Sequence, residues 1–341
     1  MLKPHLTHLL TGQPLSAAQA REAFGAIMTG TADAAQVAAM LALMGTREPT
    51  VDELVGVARA MREHLVPIET PPGAEVIDTC GTGGVGSKIF NVSTAAAIVA
   101  AGCGVYVAKH GNRGITSRTG SSDVLAALGV KVDASPDAAA RCLAEAKICF
   151  AFAPSHHPSM RHVAAIRKAL GFSTIFNLAG PLTNPAGARR QLVGVKSPAL
   201  AEKMLHALVE LGATRVMVVS GQDETGSPLC ELSVSGGTYA AAHDGAEMGE
   251  FEVTPEQLGM KRWPSAALEV GSPAESAHVI RRVFVGQKGA ARDIVVLNAA
   301  AALWVAGRVE DLAGGLPVAA AGIDSGAAER TLEKLAAVSN G

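Results

Sequence analysis

The first 66 residues place apolar side chains three and four positions apart, which is the spacing of amphipathic helices. This pattern predicts helices over 17–28, 34–44 and 52–64. Ser16 with Gln19 and Thr50 with Glu53 fit the capping-box pattern, in which two residues satisfy each other's backbone amides at a helix start. Three short helices cannot bury so much apolar surface among themselves. We therefore expect part of it to contact the rest of the chain or a second subunit, as in a homodimer.

Beyond a proline-containing linker, short apolar runs alternate with helical patterns. The runs predicted as strands are Val76-Ile77, Val105 to Ala108, Val130 to Val132, Ile148 to Phe152 and Arg215 to Val219. Such alternation predicts an α/β fold with a mostly parallel central sheet flanked by helices. We place a small all-helical domain at residues 1–70 and an α/β domain at 71–341. Ligands of such sheets bind beyond the carboxyl ends of the strands.

A glycine-rich turn follows the first predicted strand. Its glycines are Gly81, Gly83, Gly84 and Gly86. Glycine permits positive φ angles and close backbone approach, so successive bare amides can line an anion. Ser93 and Thr94 then open an apolar helical segment, whose amino end also favours negative charge. The turn is not a Walker A loop, and its match to the dinucleotide pattern lacks the acidic residue that would bind a ribose. We predict a phosphate cradle.

A second polar loop follows the predicted strand Val-Tyr-Val-Ala. It contains Lys109, His110, Asn112 and Arg113 beside two glycines. Packing alone does not explain a basic loop next to an anion cradle. Because both loops follow strands of one sheet, we expect them to converge on one crevice with the loop at residues 153–158.

Composition narrows the functional classes. The chain has 341 residues, is 48% apolar and 4% aromatic, and carries 29 basic against 31 acidic residues. This balance gives no electrostatic case for binding nucleic acid or a membrane surface. No apolar run is long enough to span a bilayer, and the first residues lack the features of a signal peptide. Five cysteines without a CxxC motif indicate reduced thiols, so we expect a cytoplasmic protein.

A predicted helix beginning near Pro158 and running to about Leu170 carries two candidates for chemistry. Arg167 can be a solvated surface charge, or its planar guanidinium can bind a ligand carboxylate through two oxygens. His156, His157 and His162 raise the question of zinc, but no further ligand stands at a usual spacing, so we do not expect a zinc site.

Several motifs together carry a family resemblance. They are Asp-x-x-Gly-Thr-Gly-Gly, Phe-Asn-Val-Ser-Thr, Lys-His-Gly-Asn-Arg, Gly-Ser-Ser-Asp and Gly-Pro-Leu-Thr-Asn-Pro. With this set, the chain resembles the anthranilate phosphoribosyltransferases from about residue 15 to residue 336. The resemblance implies an enzyme that transfers phosphoribosyl from phosphoribosyl pyrophosphate to the amine of anthranilate, a step of tryptophan biosynthesis, with Mg²⁺ as cofactor. It also implies that residues 158–187 pack onto the helical domain.

The resemblance assigns site residues to three groups. Those implied for phosphoribosyl pyrophosphate are Gly81, Thr82, Gly83, Gly84, Asn91, Ser93, Thr94, Lys109 and Ser121. Those implied for anthranilate are Gly81, Asn112, His157, Arg167 and Pro181. Those implied for the metal are Ser93, Glu231, Asp223 and Glu224. No compact acid–base set accompanies them, which is consistent with a reaction that depends on positioning and charge stabilisation.

Two positions depart from the family pattern. Cys230-Glu231 stands where the family has Asp-Glu, and Val85 stands where the family usually has Asp. A thiol is a poor magnesium ligand. Either Asp223-Glu224, seven positions earlier, reaches the site, or Glu231 acts alone, or the metal site is weakened. These departures keep open a paralogue with an altered acceptor or lost activity. The Val after the glycine pair also keeps open a pyrimidine nucleoside phosphorylase of the same fold.

Overall fold

A computed structural model describes residues 2–83, 88–112 and 120–341 of the chain. The amino-terminal part is helical. Its helices are α1 (Lys3–Leu10), α2 (Ala17–Met28), α3 (Ala34–Gly45) and α4 (Val51–Arg62). Both predicted capping boxes form, at Ser16 with Gln19 before α2 and at Thr50 with Glu53 before α4. The sequence pattern therefore located these two helix starts correctly.

The remaining chain alternates strands and helices. The strands are β1 (Val76–Gly81), β2 (Tyr106–Gly111), β3 (Ile148–Phe152), β4 (Arg190–Gly194), β5 (Arg215–Gly221), β6 (Thr238–His243) and β7 (Met248–Val253). The helices are α5 (Val92–Gly102), α6 (Ser121–Ala127), α7 (Pro136–Ala146), α8 (Ala153–His156), α9 (Arg161–Leu170), α10 (Ile175–Ala179), α11 (Pro198–Glu210), α12 (Pro273–Phe284), α13 (Ala290–Val305), α14 (Leu312–Asp324) and α15 (Ala327–Asn340). None of the helices in the described ranges has the length and apolar character to cross a membrane.

In the described part of the chain, the seven strands form one sheet in the order β3-β2-β1-β4-β5-β6-β7. Strands β1 to β5 pair with their neighbours in parallel. Strand β6 pairs antiparallel with β5, and β7 pairs antiparallel with β6. The predicted fold class, a mostly parallel sheet flanked by helices with a helical amino-terminal part, is confirmed. The parallel strands end together at one edge. Lys109 and His110, predicted to lie in a loop, are within β2, and residues 153–156, also predicted as loop, form α8, because the backbone pairing of β2 with β3 continues to Gly111.

The strand predicted at Val130 to Val132 is wrong. The Lys131 amide donates to Ser339 Oγ at 3.0 Å, and Asn340 Nδ2 donates to the Gly129 carbonyl at 2.9 Å. Helix α15 thus satisfies the polar backbone groups that a neighbouring strand would otherwise bond. Strands β4, β6 and β7 were not predicted. The sequence of β6, Thr-Tyr-Ala-Ala-Ala-His, is rich in alanine, which is depleted in strands.

Two apolar cores cover the two faces of the sheet. The first contains the alanine-rich helix α5 together with α13, which is buried along almost its whole length. The second joins helices α2 and α4 to α11 and to the inner face of β4 and β5. Residues of the segment 158–187, among them Val163 and Phe176, also belong to this second core. Because the second core crosses residue 70, the division of the chain there stays a prediction.

Candidate active site

The carboxyl ends of β1 and β4 meet where the glycine-rich segment begins. The Thr82 amide donates to the Gly194 carbonyl at 2.9 Å, and Gly81 and Gly83 are exposed. Gly83 has φ of +63°, a conformation that glycine adopts without strain. The predicted donors Gly81, Thr82 and Gly83 therefore follow directly from the end of β1. Gly84, the fourth predicted residue of this turn, lies outside the described residues, as does Val85.

A buried lysine lies beside β1. The Lys109 ammonium, on β2, donates to the Thr79 carbonyl at 2.6 Å and to Ser93 Oγ at 3.3 Å. The side chain is only 2% exposed. Burial lowers the pKa of the ammonium, and the carboxylates of Asp78 and Glu231 oppose that shift. The structure thus places one cation between the end of β1 and the start of α5.

The amino end of α5 brings a carboxylate to the same place. The Ser93 amide donates to Glu231 Oε1 at 3.2 Å, and Thr79 Oγ1 donates to the Ser93 carbonyl at 3.1 Å. Burial raises the pKa of the Glu231 carboxyl to about 7, although Lys109 opposes this shift. Burial disfavours the negative charge of Glu231, and Lys109 offsets that effect only in part. A further cation beside the carboxylate would therefore be favoured.

The other two predicted residues at this helix start differ in their contacts. The Asn91 amide donates to Ser276 Oγ at 3.0 Å, and that hydroxyl donates to Asn91 Oδ1 at 3.1 Å, so α12 orients this side chain. Thr94 is fully buried, and its Oγ1 has no hydrogen-bond partner in the described part of the chain. Asn91 and Ser93 therefore have polar groups at the helix start, whereas Thr94 lies inside the core.

A buried carboxylate fixes the end of β2. Asp78 accepts hydrogen bonds from the His110 amide at 3.1 Å and from Asn184 Nδ2 at 2.8 Å. Burial raises the pKa of Asp78, while Lys109 and Asn184 oppose the shift. Asn184 also donates to the Ala108 carbonyl at 2.8 Å. This network connects the turn after α10 to β1, which carries Asp78, and to β2, which carries Lys109 and His110.

Two histidines lie next to the predicted acceptor pocket. The His110 and His157 ring centres are 5.1 Å apart, and His110 Nδ1 lies 3.0 Å from the Gly180 carbonyl. Pro181, the next residue, is buried. Burial lowers the pKa of His110 to about 4 and that of His157 to about 3. Both rings are therefore neutral at pH 7, and the Nε2 atom of each has no partner in the described residues.

Arg167 lies half-buried on α9. Its Nη2 donates to Asn177 Oδ1 at 3.2 Å, and the guanidinium carbon lies 5.5 Å from the centre of the Phe176 ring. Burial lowers its pKa, and no carboxylate of the described chain pairs with it. A guanidinium that is partly desolvated and lacks a counter-ion is suited to bind an anionic ligand.

Asn112 and Ser121 flank the undescribed residues 113–119. The Ser121 hydroxyl lies 3.5 Å from the Asn112 carbonyl, and Ser121 is the first residue of α6. The two predicted residues are therefore adjacent to each other at the end of β2. Arg113, the last residue of the Lys-His-Gly-Asn-Arg motif, lies outside the described residues.

The structure gives no support to Asp223 and Glu224 as metal ligands. Asp223 Oδ1 accepts from the Thr225 amide at 2.7 Å and the Ser227 amide at 2.9 Å, so it closes its own turn. Glu224 Oε2 accepts from the Ser265 amide at 3.0 Å. Within the described ranges, no three His, Cys, Asp or Glu side chains gather into a metal site. Of the three possibilities that the sequence left open, Glu231 acting alone and a weakened metal site both remain predictions.

Sequence patterns missed two contributors to this site. Asn184 lies in the Gly-Pro-Leu-Thr-Asn-Pro motif, but its bond to Asp78 spans 106 positions and has no local signature. The sequence predicts His110 in a basic loop, but it lies within β2, where burial lowers its pKa to about 4 and leaves the ring neutral at pH 7. His110 is the fifth residue of the six-residue strand β2 and directly follows Lys109, so the local sequence gives no signal of its burial.

Comparison with known proteins now decides the family. The model of the a/b domain of a glycosyl transferase family matches residues 73–329, and the model of its helical bundle domain matches residues 3–65. The chain is 47% identical to the anthranilate phosphoribosyltransferase of Chelativorans sp. (strain BNC1), over 99% of this chain and 98% of that one. The chain belongs to the anthranilate phosphoribosyltransferase family. A relative of that name from Rubrobacter xylanophilus is also 47% identical, with the same coverage.

Solved structures of the family agree. Anthranilate phosphoribosyltransferase from Thermus thermophilus has a TM-score of 0.90 and 39% identity, covering 98% of this chain and 99% of that one. The enzyme from Saccharomyces cerevisiae in complex with PRPP and Mg has a TM-score of 0.89 and 25% identity, covering 99% and 98%. These relatives support the phosphoribosyltransferase hypothesis and not the phosphorylase alternative.

Proposed function

We propose that this chain transfers the phosphoribosyl group of phosphoribosyl pyrophosphate to the amine of anthranilate, giving phosphoribosyl anthranilate and pyrophosphate. The observation that carries the proposal is the cluster of Lys109, Ser93 and Glu231 at the carboxyl ends of β1 and β2. A buried ammonium beside a helix start and a glycine-rich turn is a site for a polyanion. The named relatives supply the identity of that polyanion.

The donor side depends on fixed positive charge. Lys109 is held by the Thr79 carbonyl and Ser93, so its ammonium does not need to reorganise as the reaction proceeds. Gly81, Thr82, Gly83, Asn91 and Ser121 would add donors around the phosphates. A preorganised cation in a low-dielectric site stabilises developing negative charge more strongly than water does. We assign Lys109 to the departing pyrophosphate.

The acceptor side depends on Arg167. Its guanidinium would bind the carboxylate of anthranilate, while Pro181, His157 and Asn112 would contact the ring. Neutral His157 and His110 present no charge that would compete for the carboxylate. An acid held at one end leaves its amine free to approach the sugar. Positioning of this kind can supply a large part of a rate enhancement.

The residues present fit a magnesium ion. Mg²⁺ prefers hard oxygen ligands and usually keeps several waters or phosphate oxygens. Glu231 offers a desolvated carboxylate beside Ser93, and these two residues would hold the ion. When bound, Mg²⁺ would neutralise charge on the pyrophosphate. Cys230 does not add a suitable ligand, because burial raises the pKa of its thiol to about 12.

The proposed reaction needs no protein nucleophile. The bond from C1′ to the pyrophosphate oxygen breaks, and its electron pair leaves with the pyrophosphate. The nitrogen lone pair of anthranilate forms the new bond to C1′, and the amine proton passes to the medium. Lys109 stabilises the charge that accumulates on the leaving group. Arg167 keeps the nitrogen within reach of C1′.

The test is loss of anthranilate fluorescence with phosphoribosyl pyrophosphate and Mg²⁺. We expect turnover by the wild-type chain, and a loss of about a hundredfold or more in kcat/KM for Lys109→Gln. Lys203→Gln is the matched control, since Lys203 pairs with Glu48 on the surface. A parallel assay with thymidine and phosphate tests the phosphorylase. Turnover there, or none with anthranilate, would reject the proposed reaction.

We also infer a homodimer that forms through the helical part of the chain, in the cytoplasm. Leu10 on α1 is 71% exposed and Phe172 after α9 is 47% exposed, which is the kind of apolar surface that a partner would cover. All five cysteines are free thiols, as expected in a reducing compartment. Light scattering at micromolar concentration tests the dimer, and a mass near 35 kDa would contradict it.

A further inference from the structure

A second cavity lies at the opposite end of the sheet from the candidate active site. Its volume is about 370 Å³, and its walls include Ala188 and Ala213, which come just before β4 and β5. Pro67 and Ile68 of the linker after α4 form another wall. Cavities that hold small ligands typically have volumes of about 300–1,000 Å³, so this one suits a small molecule with one ring.

Two arginines line this cavity, and the described residues that line it include no acidic side chain. Neither Arg62 nor Arg189 forms an ion pair with any carboxylate in the described part of the chain. The cavity therefore carries two positive charges without compensation from the protein. Arg62 is half-buried, and Arg189 is exposed to solvent. A cavity lined by two guanidinium groups without a counter-ion favours an anionic ligand.

Arg62 is held in place but retains hydrogen-bonding capacity. Its Nε donates to the Leu182 carbonyl at 2.8 Å and its Nη1 to the Leu211 carbonyl at 3.0 Å. Nη2 has no partner among the described residues. Burial lowers the pKa of the group, as expected for a cation that lacks a counter-ion. Arg189 is anchored through Nε to the Gly212 carbonyl at 2.7 Å, which leaves both terminal nitrogens without a protein partner in the described chain.

The remaining walls define the rest of the ligand. Leu65, Leu208 and Leu211 contribute apolar surface, as do the prolines and alanines of the cavity. A fully hydrated anion such as phosphate would have to lose water against these walls, which is unfavourable. An amino acid would bring an ammonium group next to two guanidinium groups with no acid to receive it. An acid with an apolar body and no amine meets both conditions.

We propose that this cavity binds a small monocarboxylate with an apolar, single-ring body, whose carboxylate contacts Arg62 and Arg189. The ligand would contact α4, the linker and the strand ends together. A ligand that binds the folded chain and not the unfolded chain would raise the melting temperature, and the rise would grow with the logarithm of its concentration above the dissociation constant. The cavity lies at the amino ends of β4 and β5, whereas Lys109 and Ser93 lie at the carboxyl end of β1. Asn184 lines the cavity and also bonds Asp78 of the candidate active site, so the two sites share this one side chain.

The test uses phenylpropanoate as the probe, with phenylpropanamide, phenylalanine and inorganic phosphate as comparisons. Isothermal titration and thermal shift are measured on the full chain. We expect binding of phenylpropanoate, and affinity lower by about tenfold or more for the other three compounds, because each lacks the carboxylate, adds an ammonium or lacks the apolar body. Equal binding of the amide, the amino acid or phosphate would overturn the assigned chemistry.

Variants locate the probe. Arg189→Gln should weaken binding by about tenfold, and Arg189→Lys should recover part of that loss. Arg59→Gln is the matched control, since Arg59 lies one turn before Arg62 but pairs with Glu210 outside the cavity, and we expect a change of less than about twofold. Arg167→Gln should leave the affinity unchanged. If Arg167→Gln abolishes binding while Arg189→Gln does not, the probe occupies the crevice and the proposal is wrong. Unchanged binding in every variant would also overturn it.

Discussion

Three ionisable side chains that are shielded from water determine what the candidate site can bind. Lys109, Asp78 and Glu231 each shift the pKa of at least one of the others. Asp78 is fully buried, and its two carboxylate oxygens accept hydrogen bonds from the His110 amide and from the Asn184 side chain. It therefore holds β2 and the Asn184 turn in position. Among the described residues, Glu231 interacts through hydrogen bonds with the amide and the side chain of Ser93 only. The difference assigns Asp78 a positioning role and leaves Glu231 available for a ligand.

Arg167→Ala should separate the two substrates. We expect KM for anthranilate to rise by about tenfold to a hundredfold, because a charge-assisted hydrogen-bond pair to the carboxylate is lost. KM for phosphoribosyl pyrophosphate should change little. Steady-state kinetics with each substrate varied in turn provides the measurement. Lys168→Ala is the control, since Lys168 is the next residue on α9 and is exposed. Equal increases in both KM values would count against the carboxylate role.

His157 should make the fold sensitive to acid. Its pKa is about 3 in the folded chain, well below the ordinary value of about 6.5, so the unfolded chain binds a proton that the folded chain does not. Stability from this group is full above pH 6.5 and falls as the pH falls towards 3. Between pH 7 and 5, we expect His157 to account for a loss of about 2 kcal/mol in the free energy of unfolding.

Urea unfolding at pH 7, 6 and 5 measures this loss. His157→Gln should flatten the decline, whatever its effect on absolute stability. His206→Gln is the control, because that histidine is exposed in α11. If the curves of His157→Gln and the wild type run parallel, the buried neutral histidine is not the cause of the acid sensitivity.

Local chemistry made some residues of the site predictable and left others out of reach. Lys109 and the glycine turn each belong to a short sequence motif. Such motifs can be recognised in a single sequence. The contact between Ser93 and Glu231 spans 138 positions, so no spacing rule could identify it. Asp223 and Glu224 are acidic and close to Glu231 in sequence, but their carboxylates bond to nearby amides instead. Residue type alone does not reveal that competition.

At the scale of elements, two strands must end in glycine for the site to form. An added Cβ on Gly194 would lie 1.7 Å from the Cys230 carbonyl oxygen, and one on Gly221 would lie 2.0 Å from that of Glu231. The segment carrying Glu231 therefore runs directly across the ends of β4 and β5. Any side chain at either strand end would push Glu231 away from Ser93.

Gly194→Ala should consequently lower both stability and metal binding. We expect a loss of about 1–3 kcal/mol from overpacking, and weaker Mg²⁺ binding in the presence of phosphoribosyl pyrophosphate. Gly25→Ala is the matched control inside α2, where no atom outside the helix lies within 4 Å of the added Cβ. That change should stabilise the chain by up to about 1 kcal/mol. Thermal unfolding and titration calorimetry give the two readouts. Equal behaviour of the two variants would contradict the crossing segment's role.

Elements with strong local signals were predictable, and elements set by tertiary contacts were not. The helix starts at Ser16 and Thr50 have caps that act within four residues, so the sequence located them. The segment at Val130 has the composition of a strand, but the packing of α15 against it satisfies its backbone groups. Strand β4 begins with Arg190 and Gln191, and only its pairing with β1 and β5 makes it a strand.

At the scale of the whole molecule, one apolar core joins the helical part to the sheet. Leu54 of α4 is fully buried in the same core as Val193 and Val218 of the sheet and Leu208 of α11. The composition predicted that the helices would need further surface to bury, and the sheet supplies it. Separate folding of the amino-terminal helices would leave that surface in water.

We therefore expect the helical part and the α/β part to unfold together. Both tryptophans, Trp263 and Trp304, lie in the α/β part, so their fluorescence reports on it, whereas circular dichroism at the helix band reports on every helix. In urea the two signals should share one midpoint. Leu54→Ala should lower both midpoints equally, by the equivalent of about 2–5 kcal/mol, although it lies in α4, which contains neither tryptophan. Val285→Ala, at a side chain that is 66% exposed, should leave both midpoints in place. If Leu54→Ala shifts the dichroism midpoint and not the fluorescence midpoint, the two parts fold independently and the shared core does not couple them.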